Sequence, residues 1–160
     1  MIRLGELLVG LGVLSTDQRD LVLTHQTEHE RPFGALAEEL FGVDPAAIDH
    51  ALATQYASVA PRLDPRMIEP CTDVLQIISR RQAWQFGLIP VKRANGEALF
   101  VTSRESLARA MRFVGWRINE PVSFALCEHA MLVSGLEIHY PIEGMDAGML
   151  DKVLSFSDAA

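Results

Sequence analysis

The sequence predicts an α+β chain: an N-terminal bundle of two tandem helix-turn-helix repeats, then a small sheet with helices packed on one face. Three observations carry this. The first 57 residues hold a duplicated segment whose apolar residues recur at helical spacing. A connection from Ala60 to Pro70, punctuated by Pro61, Pro65 and Pro70, follows it. Beyond that, the pattern runs helix, two strands flanking Asn95-Gly96, helix, strand, helix. The expected organisation is a duplicated helical subdomain over 1–57, a small α/β subdomain over 58–141 and a tail over 142–160.

The duplication pairs Arg3–Gln26 with Pro32–Gln55, each 24 residues long and offset by 29. Gly5/Gly34, Leu7/Leu36, Leu11/Leu40, Asp20/Asp49, Leu23/Leu52 and Gln26/Gln55 are identical without gaps. In the first copy Leu4, Leu7, Leu8 and Leu11 make an apolar stripe and Gly12 stops the helix. Ser15 and Gln18 form a capping box for the longer helix that follows. In the second copy Gly42 is the stop, Asp44 the N-cap and Pro45 the first helical residue. Neither two-helix unit buries its stripe alone, but two packed face to face do so.

The second half predicts a helix from Thr72 or Asp73 through Phe86, closed by Gly87. Strands over Leu88–Arg93 and Glu97–Thr102 flank the hairpin signal Asn95-Gly96, with Pro90 marking an edge or strand start. A helix from Arg104 to Phe113 ends at Gly115. Arg117–Phe124 reads as a third strand, and Glu128–Tyr140 as a last helix broken by Pro141. In the tail, MLDKVLSF reads as a short amphipathic turn or a frayed end.

Composition bounds the function. A chain of 160 residues buries roughly 70% of its unfolded surface and needs no metal or disulfide to fold. Hydrophobic residues at 49% and charged ones at 22% are globular values. No run of 18 apolar residues exists, so no membrane insertion is expected. The start lacks the order of a secretion signal, so a cytoplasmic location is expected, with Cys71 and Cys127 reduced and packed as small hydrophobes. A net charge of −7, from 14 basic and 21 acidic residues, disfavours a nucleic acid polymer as partner. Arg80-Arg81 and Lys92-Arg93 are expected on solvated faces.

Motif arithmetic excludes common enzymes. Gly5–Gly10 has the gap of a P-loop, but Leu11-Gly12 stands where Lys-Ser/Thr must be. Gly10-Leu11-Gly12 lacks the last glycine of a dinucleotide loop. There is no G-x-S-x-G and no C-x-x-C. His25-Gln-Thr-Glu28-His29 does spell H-x-x-E-H, in which two histidines four apart chelate zinc and the glutamate serves as base. This gives a remote alternative, a zinc metalloenzyme. The segment ends a repeat helix just before Glu30-Arg31-Pro32, which favours a solvated polar helix end instead.

The pattern R-L-G-x-x-L-V-x-x-G at Arg3–Gly12, then Gln26, then a second copy after a short spacer, resembles the MshEN domain. That is the N-terminal domain of type II secretion and type IV pilus assembly ATPases of the GspE/PilB kind. The run Ile77–Val91, IISRRQAWQFGLIPV, is similar to the family's helix leading into an Ile-Pro-Leu/Val strand, and Leu99–Val122 follows its strand, helix, strand order. The resemblance covers residues 1–141. Arg19 departs from it, as do Pro32, Ala37, Glu38 and Phe41 in the second copy, and Ser103-Arg104 stands where the family has Asp-Pro. In long family members a linker and the ATPase would come next, so the expectation here is either a stand-alone module or a boundary within a longer chain.

The resemblance implies a non-enzymatic regulatory or docking module of a bacterial secretion or pilus machine. Its partner would be a protein of that machinery, with no cofactor. Some family members bind cyclic di-GMP across the two copies. The resemblance assigns ligand contact to Arg3, Leu4, Gly5, Leu8, Val9, Gly12, Leu23 and Gln26, then to Arg31 beside the departing Pro32, and to Phe33, Gly34, Leu52 and Gln55. Glycines admit a flat ligand close to backbone, arginine stacks on a base or forks onto phosphate, and glutamine pairs with a base edge. Glu38 would set a negative charge against a dianionic ligand. The alternative is a pure protein–protein adaptor with no nucleotide, recognisable by an exposed apolar patch.

Overall fold

The computed structural model describes residues 3–144, so the expected turn over MLDKVLSF lies outside the described residues. The chain forms two compact units that divide between Val59 and Ala60.

The first unit is four helices, α1 (Leu4–Gly10), α2 (Thr16–Glu28), α3 (Phe33–Phe41) and α4 (Pro45–Ala57). Local chemistry sets each boundary. Gly12 takes a φ of 74° in the turn after α1. The Ser15 hydroxyl accepts from the Gln18 backbone N–H at 3.1 Å, and the Gln18 side chain accepts from the Ser15 N–H at 2.9 Å. Gly42 closes α3 in the left-handed conformation, and the Asp44 carboxylate accepts from the Ala46 N–H at 2.9 Å to open α4. These bonds satisfy end groups that the helices themselves leave unpaired.

Packing runs across the duplication. α1 lies mainly on α4 and α2 mainly on α3, so each copy covers the other's apolar stripe. The core uses corresponding positions of the two copies: Leu8 with Ala37, Leu14 with Val43 and Val22 with Ala51 are all buried. A Cβ on Gly34 would stand 2.8 Å from Ile48 Cγ2, and one on Gly5 would stand 3.1 Å from Arg19 Cγ. Ile48 and Arg19 are themselves corresponding residues, so the same glycine contact recurs with an apolar chain in one copy and an arginine stem in the other.

The second unit contains α5 (Thr72–Leu75), α6 (Arg80–Phe86), β1 (Leu88–Ala94), β2 (Glu97–Ser103), α7 (Leu107–Arg117), β3 (Val122–Cys127) and α8 (His129–His139). The sheet order is β1-β2-β3, antiparallel then parallel, with α7 as the crossover. Asn95 and Gly96, with φ of 55° and 75°, turn the hairpin. The register shifts between Pro90 and Lys92, which leaves Val91 as the extra residue of a bulge. The outer side of β3 is occupied by the connection: the Leu126 N–H donates to Pro61 O at 2.8 Å and the Leu63 N–H to Leu126 O at 3.0 Å.

Several expectations are corrected here. The helix expected through Phe86 is two helices, because Ser79 and Gln82 form a second capping box that starts α6 afresh. α7 begins at Leu107 and runs through Gly115 to Arg117, which pushes the third strand to Val122–Cys127. The sheet is not covered on one face alone. Leu88–Val91, Phe100–Ser103 and Phe124–Cys127 are each buried at four consecutive positions, and successive strand residues point to opposite faces. Cys127 is buried as expected, whereas Cys71 is exposed.

Polar ties fix α8 and the chain around it. The Trp84 indole N–H donates to Tyr140 O at 2.7 Å, the Tyr140 hydroxyl to Leu75 O at 2.7 Å, and His139 Nε2 lies 2.8 Å from Pro65 O. Gly135 lets α8 approach closely: a Cβ there would meet Ile89 Cδ1 and Pro65 Cγ at 2.8 Å. No helix among the described residues is long and apolar enough to cross a membrane.

Candidate functional site

The helical unit holds a cleft of about 480 Å³ lined by Arg3, Leu4, Gly5, Glu6, Arg19, Leu23, Gln26 and Phe33. Three elements build it. The start of α1 brings Arg3 through Glu6, one side of α2 brings Arg19, Leu23 and Gln26 at helical spacing, and the first residue of α3 brings Phe33.

The floor depends on Gly5. A Cβ there would reach Phe33 Cζ at 3.0 Å and Arg19 Cγ at 3.1 Å, so the missing side chain lets ring and guanidinium stem close on the α1 backbone. Leu4, Leu23 and Phe33 give apolar walls, and Leu23 is 42% exposed, a large apolar side chain left partly open. The polar groups are two arginines, one glutamine and one glutamate. Arg3 precedes α1 and is exposed. Arg19 donates through Nε and Nη2 to Asp20 Oδ1 at 3.1 and 3.0 Å. Gln26 donates through Nε2 to Arg31 O at 3.1 Å, which ties α2 to the spacer between the copies. Its amide keeps an oxygen acceptor and a second N–H. The combination offers stacking surface, cationic charge and amide recognition in one concavity.

Of the residues carried by the motif, Arg3, Leu4, Gly5, Leu23, Gln26 and Phe33 meet in this cleft. The others lie elsewhere. Leu8 is wholly buried in the core, and Val9 and Leu52 pack against it. Gly34 is buried under Ile48. Gly12 serves the turn, with open space around it. Arg31 pairs with Glu39. Gln55 lies on the last turns of α4, where its carbonyl accepts from the Ser58 hydroxyl at 2.6 Å.

Glu38, expected to confront a ligand, is exposed and does not line the cleft. Glu6 does, and motif reading missed it, as it missed Arg19. Arg19 had a signal in helical spacing, four before Leu23 and seven before Gln26, whereas Glu6 had none beyond its place next to Gly5.

The second unit has two more concavities. One of about 560 Å³ runs along Thr72, Gln76–Arg80, His139 and Tyr140. The other, about 480 Å³, includes Arg62, Asp64, Cys127, Glu128 and Met131. Hydrogen bonds from the Arg66 guanidinium and backbone N–H hold the Asp64 carboxyl below its ordinary value. Burial, aided by the Asp64 charge, pushes the Cys127 thiol up to about 12. A thiol so held is protonated at neutral pH, which is the wrong state for a nucleophile or metal ligand.

No protein-family model matches the chain, and no curated protein does. Among solved structures, one of MshE with cdg is similar over 88% of this chain and 100% of that one, at 20% identity and a TM-score of 0.47. Two structures of the N-terminal domain of XpsE are similar over 84% and 82% of this chain and 92% and 90% of theirs. Their identities are 20% and 19%, with TM-scores of 0.44 and 0.43.

Proposed function

We propose that this chain is a non-enzymatic regulatory and docking module of a bacterial type II secretion or type IV pilus machine, and that its helical unit binds cyclic di-GMP. One observation carries the ligand reading. Arg3, Gly5, Leu23, Gln26 and Phe33, picked out by a motif spread over 31 residues, converge on a single cleft. A guanine face would lie between Leu23, Phe33 and the bare backbone of Gly5. Arg3 would stack on it or take phosphate charge, and Gln26 would pair with its polar edge. The similar MshE structure is one with cdg, and the same ligand is assigned to this chain on its own residues.

Titration calorimetry with cyclic di-GMP tests the reading. Micromolar or tighter binding is expected, with Arg3→Ala and Gln26→Ala each weakening it at least about tenfold, or about 1.4 kcal/mol. No heat up to millimolar ligand would reject it.

The adaptor reading has its own support. Leu11, Leu21 and Leu40 are 50%, 52% and 38% exposed on the helical unit, apolar side chains left open outside the cleft. That surface suits a machinery protein whose contact patch is apolar with a polar rim. Cross-linking from Leu21→Cys in cells that hold the machine identifies the partner, and no cross-linked product would count against docking through this face.

A further inference from the structure

We propose that His25, Glu28 and His29 form a binding site for one zinc-class transition-metal ion on the last turn of α2. His25 and Glu28, three apart, share one face of α2, and His29 is the capping residue that follows directly. One donor atom from each lies within 4.8 Å of the other two. Ligands of a tetrahedral zinc ion stand about 3.4 Å apart when bonded at about 2.0–2.1 Å. Closing the gap needs only small rotations of side chains that are partly or fully solvent-exposed. The two imidazole rings already lie nearly parallel, 22° apart with centroids separated by 6.3 Å.

Ligand chemistry selects the ion. Two imidazoles and one carboxylate suit zinc, nickel or copper, whereas magnesium and calcium want oxygen donors. Three protein ligands leave a fourth position for water. None of the three residues lines the cleft described above, and Glu28 and His29 are exposed. Glu28 is spent as a ligand in this arrangement, so the proposal is one of metal binding and not of hydrolysis. The ion's effect falls on the neighbourhood of Gln26, whose bond to Arg31 O ties this turn to the spacer. An ion bridging His25 and His29 would clamp the end of α2, where His29 leaves the helix at a φ of −130°.

The test is zinc chloride titrated into the full chain carrying Cys71→Ser, so that the exposed thiol does not compete. One ion per chain is expected at micromolar affinity, with a higher melting temperature on loading. His25→Ala and His29→Ala should each weaken binding at least about tenfold, and His50→Ala should leave it unchanged. Cobalt should give the visible absorption of a tetrahedral site, lost in the same two variants. Circular dichroism of the unloaded variants should match the parent, since the replaced groups lie at an open helix end. Absence of one-to-one binding at 100 µM zinc, or equal binding by parent and both histidine variants, overturns the proposal.

Discussion

Arg19 shows how a single side chain serves two environments. Its stem occupies the place that Ile48 fills in the other copy, against the corresponding glycine, while its guanidinium bonds Asp20 at the rim of the cleft. Arginine does this because its methylenes bury while its head stays wet. Arg19→Leu should therefore keep the fold within about 1 kcal/mol in urea melts. Gly5→Ala should cost about 1–3 kcal/mol and weaken the proposed cyclic di-GMP binding, because the added methyl meets both Phe33 and Arg19. The cysteines give a second residue-level prediction. In the native chain a thiol reagent should label Cys71 and spare Cys127, and both should react after denaturation. Stability should also fall in alkali. Folding raises the Cys127 thiol from 9.0 to about 12, and burial raises the Tyr140 hydroxyl too. Above pH 9 the unfolded thiol loses its proton while the folded one keeps it, so stability is full below pH 9 and declines above it. The slope from one such group is at most about 1.4 kcal/mol per pH unit. Cys127→Ala should flatten that decline in melts between pH 8 and 10.5.

At the scale of elements, capping explains both what was legible and what was not. In the helical unit, Gly12, Ser15-Gln18, Gly42 and Asp44-Pro45 name their own boundaries, and the helices begin and end where those residues dictate. The same logic exposes the error in the second unit. Ser79 and Gln82 carry the signature of a helix start, but apolar spacing from Val74 to Phe86 hides the break between α5 and α6. Ser79→Ala should cost about 1 kcal/mol, read by thermal melting, while Ser58→Ala beyond α4 should cost less. Gly115 misled in the opposite direction, since a glycine with helical backbone angles ends nothing and α7 passes through it. The site was legible in part for a related reason. Motif glycines and apolar residues do not announce whether they face the cleft, the core or a turn, and only packing separates Gly5 from Gly34 and Gly12. Tyr140 and Trp84, whose polar ends reach back across the second unit, left no local signal at all.

For the whole molecule, each unit has its own apolar interior, and residues 1–59 carry a core built from Leu8, Val22, Ala37 and Ala51. A fragment of that length is near the lower limit for independent folding. It is expected to be helical and to melt cooperatively but at lower temperature than the full chain, which circular dichroism checks. The sheet carries a different consequence. One side of it is closed by the pairing of Leu63 and Pro61 with Leu126. The other is β1, whose ladder is interrupted between Pro90 and Lys92 and whose outer half, Lys92–Ala94, is exposed and positively charged. Neither margin offers a long flat row of free backbone groups to a passing strand. The charged outer end of β1 disfavours edge-to-edge pairing of this sheet, and a Pro90→Val, Lys92→Val variant should aggregate faster than the parent on storage.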